Sequence, residues 1–307
     1  MPVCRVGAIG FNYLDVGTGV PFVFQHGLGG DVRQPAGLFS PPNGVRLLTF
    51  DARAHGQTFP LADPADLTFD TFGDDLVALL DHLGVSRAIV GGISMGAGVA
   101  LNVAVRYPER VAGLVLSRPA WLDGPMPDGN VAMYAHIAQL LRALDEGAGM
   151  DDGVGWALQR LEVSDAYCAI AASSPDTAQS LCGQITERRA RDAVARLERL
   201  PRDRPIADLH DAAAIDVPTL VLAHHQDPIH RLEFGAALAH AIPAARLEEL
   251  TPKSINRERH AAEMQQFLAA FVEPFRQPML RGRAAGVRLD RELIPHLSRV
   301  DVGVVNP

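Results

Sequence analysis

Ser94 stands in Gly92-Ile93-Ser94-Met95-Gly96, a G-x-S-x-G pattern. A serine hydroxyl becomes a useful nucleophile once a base takes its proton and donors receive the oxyanion it creates. The pattern is short, so its surroundings must carry the argument. A strand-like run, Arg87–Gly92, precedes it, and a helix-like run, Met95–Tyr107, follows. A serine on such a strand-to-helix elbow needs small flanking residues. Gly92 and Gly96 supply them, with Gly91 and Gly98 nearby. The hydroxyl then faces a helix N-terminus, where developing negative charge is favoured. A dinucleotide-binding turn is excluded because G-x-G-x-x-G is absent here.

The same logic selects the partners. One oxyanion donor is the backbone N–H of Met95, directly after the nucleophile. The second is expected from His26-Gly27-Leu28-Gly29-Gly30, the loop after the Pro21–Gln25 strand, at Leu28. His26 precedes Ser94 and is read as holding that loop. On an elbow of this kind the acid and then the histidine follow the serine in the chain. Asp227 lies just past the strand Val217–Ala223 and is the expected acid; Asp216 lies at the wrong end, and Asp123 is a secondary option. His230 shares the acid's loop, which reads as too close to bridge it to Ser94. His240 is mid-helix and His296 lies in the C-terminal tail. His260 follows the last strand and precedes the final amphipathic helix, so His260 is the expected base, although the connection from Leu250 is long. His224, His225, Asp227 and His230 could suggest a metal cluster. Adjacent residues at a strand end face opposite sides, so His224 and His225 are not expected to converge on a metal; no cofactor is expected.

Elements that could position these residues are legible in the periodicity. Residues 3–15 read as two short strands, and Val45–Phe50 as another. Thr71–Leu83 reads as a helix closed by Gly84. Strand Val111–Ser117 follows the Met95–Tyr107 helix. Strands alternating with helices imply an α/β architecture, a parallel sheet covered on both faces. After residue 120 the alternation stops, and 121–212 reads as helical without a convincing strand. Val217–Ala223, a helix at Leu232–Ala241 and a strand at Arg246–Leu250 resume it. Ala261–Val272 places Met264, Phe267, Leu268, Phe271 and Val272 on one helical face. The expected division is a core at 1–120 and 213–276, an insertion at 121–212, and a peripheral tail at 277–307.

Together these pieces resemble the α/β-hydrolase superfamily. The resemblance rests on His26-Gly27, Asp51-Ala52-Arg53-Ala54-His55-Gly56, the Ser94 pentapeptide, Tyr107-Pro108-Glu109-Arg110-Val111, and the Asp227/His260 pair. The N-terminal half is most similar to enol-lactonases, carboxylesterases and cofactor-free haloperoxidase-like enzymes. The resemblance implies an α/β-hydrolase fold, with a mostly parallel eight-stranded sheet, helices on both faces, and 121–212 as an inserted helical cap. It also implies a serine hydrolase acting on a small carboxylic ester or lactone through an acyl-enzyme. C–C bond hydrolysis or perhydrolysis on the same residues is the alternative, as is a non-catalytic ligand-binding protein of the same fold. Serine at position 94 argues against haloalkane dehalogenases, which need aspartate there.

Composition sets the outer limits. The chain has 307 residues, 48% of them hydrophobic, and a net charge of −8. That supports a full core and argues against disorder. Lys253 is its one lysine, and no basic run marks a nucleic-acid footprint. No apolar run reaches the about 18 residues of a membrane span, and the N-terminus lacks a signal-peptide pattern. Three scattered cysteines suggest no disulfide framework. A cytoplasmic protein with a small-molecule ester or lactone as partner is expected, without nucleic acid or membrane; a homodimer is left open. Arg118, at the end of a core strand, could hold a substrate carboxylate or pair with an acid. Arg33 and Trp121 are further candidates for lining the substrate site.

Overall fold

The computed structural model describes residues 1–149 and 151–284. Its sheet contains β1 (Val3–Val6), β2 (Ile9–Gly17), β3 (Gly19–Gln25), β4 (Gly44–Phe50), β5 (Ala88–Ile93), β6 (Val111–Ser117), β7 (Thr219–Ala223) and β8 (Ala245–Glu249). The spatial order is β1-β2-β4-β3-β5-β6-β7-β8. β2 pairs antiparallel with β1 and β4, and every other pairing is parallel. This is the mostly parallel eight-stranded sheet the resemblance implied.

Every residue of β5 is buried, as a central strand covered on both faces requires. Side chains alternate between two cores. Val90, Leu114, Leu116 and Val221 enter one, while Ile89, Val115, Leu220 and Leu222 enter the other. The first core is covered by α2 (Phe69–His82) and α3 (Met95–Arg106), the second by α10 (Arg257–Ala284). Met264, Leu268, Phe271 and Val272 are the buried face of α10, as their spacing predicts. Thr68 caps α2 by accepting from the Thr71 amide, and Gly84 beyond its end has φ +64°.

Between β6 and β7 the chain is helical: α4 (Asp128–Asp145), α5 (Gly153–Glu162), α6 (Asp165–Ser173), α7 (Pro175–Thr186) and the short α8 (Ala195–Arg199). Between β3 and β4 lies the short α1 (Arg33–Leu38), between β4 and β5 lies α2, and between β7 and β8 lies α9 (Leu232–Ala241). One boundary differs from the sequence reading. Residues 277–284 continue α10 instead of starting an irregular tail. Once the helix is nucleated by packing over its first turns, each further residue adds one backbone bond at little cost. The rest of the expected tail, 285–307, with His296, lies outside the described residues.

Candidate active site

The carboxyl ends of four adjacent parallel strands deliver the site's parts. β3 leads into the His26–Gly30 loop, β5 into Ser94, β6 into Arg118, and β7 into Asp227 and His230. Ligand crevices in open α/β sheets lie at this edge.

Ser94 has φ +54° and ψ −111°, a conformation costly for any residue with a Cβ. Its amide donates to the Ser117 carbonyl at 2.9 Å, tying the elbow to the neighbouring strand. A Cβ on Gly92 would lie 2.3 Å from the Gly96 backbone, and one on Gly96 would lie 2.3 Å from the Gln25 carbonyl. Both flanking glycines are therefore steric requirements of the bend. Met95 is the first residue of α3, so its N–H has no intrahelical acceptor. The Gly27 backbone lies close by, since a Cβ there would sit 3.4 Å from Ser94 Cβ. Its loop is pinned on several sides. Gly27 N–H donates to Gln34 Oε1 at 2.7 Å, Gly30 N–H to the Gly27 carbonyl at 2.9 Å, and Gln184 Nε2 to the Leu28 carbonyl at 3.0 Å. His26 accepts from the Ala52 amide at Nε2 (3.0 Å) and contacts the Gly27 carbonyl through Nδ1 (2.8 Å), so its ring braces the loop.

The base position differs from expectation. His230 Nε2 lies 2.8 Å from Ser94 Oγ, and its Nδ1 lies 2.9 Å from Asp227 Oδ2. His260 does not reach Ser94. It sits in the first turn of α10 with Nδ1 2.8 Å from the Thr251 carbonyl, and its ring packs edge-on against buried His224 at 5.7 Å. Proximity in sequence did not prevent His230 from bridging, because Asp227 folds its own loop. Asp227 Oδ1 accepts from the amides of Ile229 (3.3 Å) and His230 (3.0 Å), an Asx-type turn. That turn brings the His230 ring back beside the same carboxylate. Pro228 disfavours the helical region for Asp227 at the turn's start. The Asp-Pro-x-His pattern was the available signal.

Of the two roles open to Arg118, the structure shows the pair with an acid, and that acid is Asp227. Arg118 Nε and Nη2 bond Asp227 Oδ2 at 3.0 and 2.5 Å, and Nη2 lies 3.1 Å from His230 Nδ1. The guanidinium answers the acid's charge; it is not left facing a substrate carboxylate. With Nε2 accepting from the serine, His230 carries its proton on Nδ1, so Nδ1–H and Nη2–H converge on one oxygen. Burial works against ionisation of Asp227, but His230 and Arg118 outweigh it and hold the carboxyl far below the carboxylate range. Burial and the Arg118 charge push the His230 imidazole down against the pull of Asp227. The downward shift favours the neutral ring, the form a base requires.

The remaining candidates fall outside this cluster. Asp123 accepts from the Leu209 amide at 3.0 Å. Trp121 is buried with its ring edge-on to Phe69 at 5.1 Å. Arg33 is exposed, pairs with Asp31, and lines a cavity of about 600 Å³ with Gly29, Gln34 and Arg188. His224 is buried whereas His225 is exposed beside Glu249, so the two diverge. Among the described residues, no group of three or more His, Cys, Asp or Glu could hold a metal ion. No described helix is long and apolar enough to cross a membrane.

A family model described as the alpha/beta hydrolase fold matches residues 20–253. The chain is 24% identical over 282 residues to 3-oxoadipate enol-lactonase 2 of Acinetobacter baylyi, covering 86% of this chain and 98% of that one. It is 34% identical over 141 residues to 2-hydroxymuconate semialdehyde hydrolase of a Pseudomonas species, covering 44% and 50%. Two further curated relatives are matched over only 54% and 28% of their own lengths. The crystal structure of the enol-lactonase from Burkholderia xenovorans superposes with a TM-score of 0.64 at 22% identity, over 88% of this chain and 99% of the other.

Proposed function

The chain belongs to the α/β-hydrolase family, and on that premise we propose a serine hydrolase that cleaves a small carboxylic ester or lactone through an acyl-enzyme. Ser94 is the nucleophile, His230 the base and Asp227 the acid that orients it. The observation carrying this reading is the continuous chain Ser94 Oγ, His230 Nε2, His230 Nδ1, Asp227 Oδ2, with steps of 2.8 and 2.9 Å.

His230 takes the hydroxyl proton as Oγ attacks the carbonyl carbon. The oxyanion accepts from the N–H groups of Leu28 and Met95, which stand ready before the charge develops. The imidazolium returns its proton to the departing alkoxide, leaving acyl-Ser94. Water then attacks the acyl carbon with the same base, releasing the acid and restoring Ser94.

A serine-directed fluorophosphonate tests the reading. Labelling at Ser94, absent in Ser94→Ala, is the expected result, followed by base uptake on an ester and lactone panel in a pH-stat. A folded protein that resists the probe would favour a binding role. The partial match to a 2-hydroxymuconate semialdehyde hydrolase favours C–C bond hydrolysis as the second reading. Turnover of vinylogous diketones with inert esters would select it.

The pH dependence follows from Arg118. The base works only when neutral, and its depressed pKa keeps it neutral below the ordinary imidazole range. Arg118→Met removes a charge that lowers that pKa. The acid limb of kcat/KM is therefore expected to move to higher pH; an unmoved limb would show that Arg118 does not act on the base.

A further inference from the structure

Two polar side chains of α7 hydrogen-bond to groups of the site. Thr177 is fully buried, and its Oγ1 donates to Asp227 Oδ1 at 3.3 Å. Ser174, also buried, has its Oγ 2.8 Å from Thr177 Oγ1 and 3.3 Å from Asp176 Oδ1; donation along the shorter contact leaves the Thr177 proton for the Asp227 carboxylate. At the other end of the helix, Gln184 is 5% exposed and donates to the Leu28 carbonyl. Gly29 has φ +75°, and a Cβ on it would come within 2.4 Å of Gln184 Oε1. Glycine is what lets the amide lie flat against this loop.

Residues seven apart on a helix share a face, about 10 Å from each other. We propose that α7 positions both halves of the catalytic machinery: Thr177 sets the Asp227 carboxylate and Gln184 sets the Leu28 loop. The proposal rests on the triad reading above and extends it. Neither side chain touches the reacting atoms, so both are positioning residues. The acid and the oxyanion loop follow different strands, and α7 is a rigid spacer between them. Displacing α7 removes a hydroxyl from the acid and the clamp from the loop together, so the site is complete only with α7 docked.

The test uses the full chain with p-nitrophenyl acetate and, in parallel, NMR of the His230 Nδ1 proton. Thr177→Val and Gln184→Met are each expected to lower kcat about five- to tenfold, the worth of one buried hydrogen bond, with KM within about twofold. Thr177→Ser should restore the rate. The His230 Nδ1 proton should shift in Thr177→Val and return in Thr177→Ser. Should Thr177→Val fail to fold, Thr177→Ala is read the same way. If wild type and Ser94→Ala are equally inert, the functional reading falls, while the proton shift still decides the positioning role. Full kcat with an unmoved proton would overturn the proposal, as would a raised KM with kcat intact, which would make α7 a substrate-binding element.

Discussion

His230→Ala is expected to lower kcat/KM on any hydrolysed ester by about 10⁴- to 10⁶-fold, whereas His260→Gln is expected to stay within about threefold of wild type. The contrast is large because one ring contacts the Ser94 hydroxyl and the other does not. Without the His230 imidazole the hydroxyl keeps its proton, and what remains is binding and the oxyanion donors. His260 spends Nδ1 on the Thr251 carbonyl, and burial pushes its pKa down to about 4, so it is neutral core at ordinary pH. Glutamine can replace that donor and keep the fold. Fluorophosphonate labelling should follow the same pattern. The reverse outcome, with His260→Gln inert and His230→Ala active, would return the base to His260 and require the Asp227–His230 turn to open.

Asp227→Asn is expected to lower kcat about 10⁴-fold, because an amide no longer enforces the Nδ1–H tautomer or stabilises the imidazolium. The same substitution has a structural cost. Asp227 is fully buried and Arg118 is 12% exposed, so the change leaves a desolvated guanidinium without its anion. Breaking such a pair from one side costs about 3–5 kcal/mol. The sign of the pH effect follows from the depressed carboxyl pKa. The stabilisation is present above the unfolded carboxylate pKa and is lost as pH falls toward the folded one. In urea titrations the Asp227→Asn midpoint should therefore fall at neutral pH and approach wild type in acid. Combining it with Arg118→Met should recover part of the stability and none of the rate. A single variant as stable as wild type at neutral pH would show that the pair contributes nothing to the fold.

Some of this was open to reading in the residues alone. Gly92 and Gly96 declared the elbow, because only a missing Cβ fits where the structure puts backbone 2.3 Å away. The succession of apolar strand runs and helical patterns, with the 3.6-residue face of α10, declared the layers, since burial imposes those patterns directly. The His26 loop and Asp227 were legible because each sits at the end of a readable strand. His230 was not: chain order favoured the histidine after the last strand, and sequence distance says nothing of where an Asx turn aims a ring. Arg118 illustrates the same limit, because its guanidinium answers a carboxylate 109 positions away. Thr177 and Gln184 carried no signal, since helices packed by nonpolar faces leave their crossing and register open in sequence.

By itself, then, the sequence determined the layer architecture, the glycine-flanked elbow that carries Ser94 and the strand ends that gather around it. These follow from local sterics and from short-period burial, which neighbouring residues encode. Which histidine meets Ser94, what neutralises Asp227, and which helix spans the acid and the oxyanion loop were decided only by the tertiary structure. Those choices depend on distances between groups far apart in the chain, set by how the sheet, its loops and α7 pack together.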